Sequence, residues 1–210
     1  RDAAVVRTER NLGINWLATI FLLTTIATMV FYNMLVGSVA IALLATVLMV
    51  VASFLLVAVA TYIAGLVGSS NSPVSGMTIV ALLFSAAVML GLGVSGDSAI
   101  LATLGIAGVV CCATCASGDV AQDLKTGLIV GATPAKQQIA SIIATVVPAF
   151  FFAPILTLLH HAYGIGTGEL GSLRAPQAAL FASLTSGFFG TGTLPWLGQP
   201  NHSNQREEHH

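Results

Sequence analysis

At 210 residues, with 56% apolar side chains, 7% charged ones and a mean hydropathy of +0.92, the chain lies far from the roughly 25% charge of ordinary soluble domains. Seven basic residues against eight acidic ones give a net charge of −1, which excludes a basic nucleic-acid surface. What remains is an all-α, multi-pass integral membrane protein whose first partner is the lipid bilayer.

Residues 1–13 are polar, with Arg1, Arg7 and Arg10, and read as a cytoplasmic N-terminal segment. The first apolar run after them is longer than a signal-peptide core and a second follows at once, so it reads as a span and not a leader. Ile14 to Val36 carries no formal charge over 23 residues, enough for a helix to cross about 30 Å of hydrocarbon. Trp16 and Tyr32 fall near its two ends, where interfacial aromatics are expected. Gly37-Ser38 turns the chain into a second uncharged run, Val39 to Val67, so the two form a helical hairpin.

Gly65 to Thr78, GLVGSSNSPVSGMT, is rich in Gly and Ser, holds Asn71 and Pro73, and has no charge. Gly and Pro break the helix here. The absence of charge suits a broken or re-entrant element lining a cavity, with a plain cytoplasmic turn as the alternative. Met77 to Leu92 forms a short third span, GVSGDSA turns the chain with Asp97 or Ser98 as a cap, and Ser98 to Thr114 forms the fourth span.

In that fourth run, Gly105, Ala107, Gly108, Cys111 and Cys115 allow close helix approach. The cysteines Cys111, Cys112 and Cys115 are odd in number and clustered, which is no disulfide framework. Cys112 and Cys115 form a CxxC with no histidine nearby, so packing is preferred over a metal or redox site and no metal or cofactor is expected.

The polar island Gly118 to Gln138 carries Asp119, Asp123, Lys125 and Lys136. Charge at membrane depth is a functional hypothesis by default; an ordinary loop with solvated charges is the alternative. Ile139 to Leu159 is the fifth span, with Pro148 and Pro154 inside it and His160-His161 closing it. Residues 162–175 are a Gly-rich loop, 175–190 a short re-entrant or interfacial helix opened by Pro176, and 197–210 a polar tail without a packing pattern.

The positive-inside rule puts the arginines, the 65–76 break and the 118–136 island on the cytoplasmic side, with the 93–97 and 160–175 loops opposite. Zinc-hydrolase, P-loop and nucleophile-elbow motifs are missing from the sequence, so an enzyme is not expected. About five spans with irregular Gly-rich elements on one side are the ingredients of a secondary transporter.

Three segments then carry a resemblance: TYIAGLVGSSNSPVSGMTI at 61–79, SGDVAQDLKTGLIVGATPAKQQ at 117–138, and RAPQAALFASLTSGFFG at 174–190 with LPW at 194–196. In that order they resemble the oligopeptide transporter (OPT) superfamily, closest to its yellow stripe-like and microbial branch. The resemblance implies a partial transporter domain over 14–196, drawn from the later part of a longer protein. It implies proton-coupled transport of small peptides or of metal bound to peptide-like chelators such as nicotianamine and siderophores. The further partners it implies are the remaining helices of a full-length transporter, or other copies in a homo-oligomer. A fragment without transport activity, or a structural or accessory subunit, is the alternative. Within the two polar segments, the candidate substrate or coupling residues are Ser70, Asn71, Pro73, Asp119, Gln122, Asp123, Lys125, Thr133 and Gln137.

Overall fold

A computed structural model describes residues 7–166 and 172–190; the polar tail expected at 197–210 lies outside the described residues. The architecture is an all-α bundle of α1 (Ile14–Val36), α2 (Val39–Val67), α3 (Val74–Gly91), α4 (Asp97–Val130), α5 (Pro134–Tyr163) and α6 (Pro176–Phe188). Five helices are long and apolar enough to cross a membrane, which makes the chain a multi-pass integral membrane protein.

α4 is the centre, packing against each of the other five α-helices. The core it shares with α2 and α3 is built largely from alanine: Ala42, Ala45, Ala52, Ala81, Ala86, Ala99 and Ala102 are all buried, with Met49, Met89, Ile106 and Val110 filling the gaps. Lipid tails are as apolar as leucine, so helices in a bilayer gain little by hiding large side chains from them. Small residues instead let backbones approach and make van der Waals contact. The large side chains accordingly point outward, as Phe54, Phe84, Phe150 and Phe151 do.

Tyr32 departs from its expected interfacial position. It is fully buried, lying against α4 where a Cβ on Gly105 would stand 2.8 Å from its Cε1. Gly105 and Ala107 do occupy the packed face, as their size suggests, but Cys112 and Cys115 are exposed and Gly108 has nothing within 4 Å of a would-be Cβ. The two exposed cysteines face outward, so they do not mediate the close approach.

The polar island is the larger difference. Its first part is helical, because α4 runs for 34 residues to Val130, about 51 Å at 1.5 Å per residue, some 20 Å more than the hydrocarbon requires. Ala121, Gln122, Leu124 and Lys125 are good helix formers, and polarity does not stop a helix that has left the hydrocarbon. Gly131 stops it, with φ +70°, a conformation that costs glycine nothing. Ala132 N–H bonds back to Gly127 O at 2.8 Å, the Schellman closure. Thr133 is extended ahead of Pro134, which opens α5. α5 continues unbroken through Pro148 and Pro154 and has no buried residue.

The break between α2 and α3 is shorter than the sequence suggests. Gly68 ends α2 with φ +89°, a 3-10 turn spans Ser69–Asn71, and Pro73 leads into α3. Gln177 Nε2 donates to Ser75 Oγ at 3.3 Å, so α6 starts beside this break, where strict alternation of the spans would put it across the bundle.

Candidate functional site

Two cavities with polar residues in their walls flank the C-terminal third of α4, and glycines at three points let its neighbours come close enough to form them. A Cβ on Gly118 would stand 3.3 Å from Ala64 Cβ and 3.4 Å from Ser69 Cβ, and one on Gly68 would stand 3.3 Å from Gln122 Nε2. This proximity allows Ser69 Oγ to donate to Gln122 Oε1 at 2.9 Å, tying the α2–α3 break to α4. Beside that bond opens a cavity of about 400 Å³ lined by Ala64, Gly65, Ala121, Gln122, Lys125 and Thr126.

The chemistry of this cavity is biased toward donors. Ser69 engages the Gln122 carbonyl oxygen, so Gln122 keeps its Nε2 amide, beside Gly68, as a donor, and an ammonium such as Lys125 Nζ is a donor only. Gln122 and Lys125 stand three residues apart on one face of α4. Such a wall fits a carboxylate.

On the other flank, Gln137 of α5 lies over Gly127, in space that any side chain there would need. Its Nε2 donates to Asp123 O at 2.9 Å, and a cavity of about 230 Å³ is lined by Asp123, Gln137, Ala140, Ser141 and Ala144. The bond to a carbonyl fixes which end of the amide is nitrogen. Gln137 Oε1 is left buried without a hydrogen-bond partner.

Four of the nine candidates from the sequence therefore line the two cavities: Gln122 and Lys125 the first, Asp123 and Gln137 the second. The other five line neither. Asn71 turns back to donate to Val67 O at 3.0 Å, closing the end of α2. Ser70, Pro73 and Asp119 are exposed, and Thr133 is half-buried, its carbonyl accepting Lys136 N–H and Gln137 N–H at the start of α5. Ser69, Thr126 and Ser141 join the site without being among those nine. The small-residue spacing of Gly65, Ser69 and Gly118 was the one signal available for the first of these. Among the described residues no group of three or more His, Cys, Asp or Glu is placed to hold a metal.

A larger cavity, about 570 Å³, lies elsewhere. It lies between α1 and α2, with Val109 and Ala113 of α4, and is lined mostly by apolar side chains such as Phe21, Met49 and Phe54. Thr24, Thr25 and Thr28 line it too, but each hydroxyl donates to a carbonyl of its own helix. Such a lining suits an apolar occupant better than a polar solute.

Comparison with known proteins bears on the same stretch. The model of the family described as OPT oligopeptide transporter protein matches residues 1–198. A Haemophilus influenzae protein named "Putative oligopeptide transporter" is 40% identical over 176 residues, covering 76% of this chain and 28% of its own length. The chain thus spans just over a quarter of that curated relative. No solved structure matches it.

Proposed function

The chain belongs to the OPT oligopeptide transporter family, and from that premise we propose that the cavity beside the α2–α3 break receives the carboxylate of a peptide-like cargo on its way across the bilayer. The observation that carries this reading is the donor wall of Gln122 and Lys125, oriented by the Ser69–Gln122 bond and open to an entering solute. Transport is the work of the longer protein, whose remaining helices complete the pathway. Its cargo is a small peptide or a metal chelate of a peptide-like ligand, since both present carboxylates. Asp119 and Asp123, exposed on the neighbouring face of α4, are the carboxylates available to a coupled proton. The basic residues Arg7, Arg10, Lys125 and Lys136 favour the cytoplasmic side for this end of the bundle.

The test is uptake into vesicles holding the full-length transporter. Lys125→Met should raise KM for a free dipeptide by roughly ten- to a hundredfold, the loss of one charge-assisted contact, and Lys125→Arg should restore most of it. A dipeptide amidated at its C-terminus should be carried poorly and be indifferent to the substitution. Unchanged KM in Lys125→Met, with normal abundance in the membrane, would sink the assignment. Competition by a carboxylate-bearing iron chelate, set against competition by a second dipeptide, separates the two cargo classes.

A further inference from the structure

We propose that the segment Arg7–Leu12 is a strap that sets the opening of the wedge between α4 and α5, and so controls access to the Asp123–Gln137–Ser141 cavity. Three long-range hydrogen bonds carry the inference. The Arg7 guanidinium donates to Gly131 O at 2.8 Å. Ala135 N–H donates to Arg10 O at 3.0 Å. Leu12 N–H donates to Gln138 Oε1 at 3.0 Å.

Two of these bonds meet a need of the corner itself. The last carbonyls of a helix and the first N–H groups of the next have no partner within their own helices. Gly131 O and Ala135 N–H are two such groups, one on each side of the corner. The last turn of α4 contains no basic residue, although a cation there is favoured by the helix dipole; Arg7 supplies it from more than a hundred residues away in sequence. The strap therefore holds both helix ends at once, and joins them to the start of α1.

Among the described residues little else restrains α5. It buries no residue, packs chiefly on α4, and turns Ile143, Val147, Phe150 and Phe151 outward. Among the described residues its side-chain hydrogen bond to α4 is the one from Gln137 to Asp123 O. A helix so attached is a lever pivoting at Gly131–Thr133, with the cavity of Asp123, Gln137 and Ser141 in the angle. Releasing the strap lets the lever swing and the cavity fill with water. The proposal does not depend on which cargo is carried.

The experiment follows thiol access to Ser141→Cys in the membrane-embedded full chain, with Cys111, Cys112 and Cys115 replaced by alanine. A water-soluble, membrane-impermeant maleimide should label this position roughly tenfold faster after Arg7→Ala/Gln138→Ala, the change that loss of one charge-assisted bond makes in an opening equilibrium. Arg10→Cys/Ala135→Cys adds the opposite arm, because the 3.0 Å bond between these residues brings their backbones within disulfide reach. Oxidation of that pair should slow labelling at position 141, read on the peptide that carries it and not as total label, several-fold, and reduction should restore it. Thr103→Cys, at a fully buried position, must stay unlabelled throughout as the check on folding. If Arg7→Ala/Gln138→Ala does not fold, the cross-linking arm decides alone. A labelling rate that ignores closure of the disulfide overturns the proposal, as does one that ignores loss of the strap in a folded variant.

Discussion

Tyr32 and Gly105 show how little separates a tolerated change from a damaging one in this bundle. The Tyr32 hydroxyl is buried without a partner, so it contributes nothing that offsets its lost hydration. Tyr32→Phe should leave thermal stability in detergent unchanged or raise it by up to about 1 kcal/mol; a clear loss would reveal a partner for the hydroxyl. Gly105→Ala adds a methyl group 2.8 Å from the ring, and the overpacking should cost about 1–3 kcal/mol in the same assay. This contact also marks a limit on what sequence conveys. Position near the end of an apolar run suggests an interfacial aromatic, but the run does not encode which way the helix is rotated. The same blindness separates Ser69 from Ser70. Both lie in an uncharged turn, and only rotation about the backbone brings Ser69 to Gln122 and leaves Ser70 exposed.

Among the elements, α4 shows why the spans were legible and the site only partly so. Uncharged runs such as Ile14–Val36 and Val39–Val67 identify themselves, because the bilayer forces each to satisfy its own backbone. Past Thr114 the run loses its apolar character, yet the helix continues to Val130, since helix-forming side chains suffice once hydrocarbon no longer matters. That continuation puts Asp123 and Lys125 on different faces and hence into different cavities, an arrangement no loop reading contains. Gly127→Ala tests the element directly. It should raise helix propensity in α4 by about 1 kcal/mol while expelling the Gln137 amide from its place over Gly127, a loss of about 1 kcal/mol. The two offset, so the melting temperature should barely move. A spin label at Ile143 on α5 should nevertheless become more mobile. An unaltered spectrum would mean that Gln137 does not anchor α5.

For the whole molecule, inside and outside are assigned by size as much as by polarity. Alanines and single-atom steps fill the interior, while Trp16 (66% exposed), Phe54 and Phe150 face outward. In the 210-residue chain carrying Trp196→Phe, where Trp16 is then the one tryptophan, brominated lipids should quench most of the fluorescence. Weak quenching would show that protein, not lipid, covers the start of α1. Family membership and the bundle were readable because motif order and hydropathy are properties of the linear chain. The Arg7–Gly131 and Leu12–Gln138 bonds were not, because nothing local marks two residues so far apart as neighbours.

The central place of α4 has a consequence in time. A chain made from its first residue onward inserts α1, α2 and α3 before the helix on which all of them pack has been synthesised. The Gly105 notch for Tyr32, and the Ile106 and Val110 side chains of the alanine core, arrive only after all three. α1, α2 and α3 therefore wait in the bilayer with only their contacts to one another, and the core they share closes when α4 reaches them.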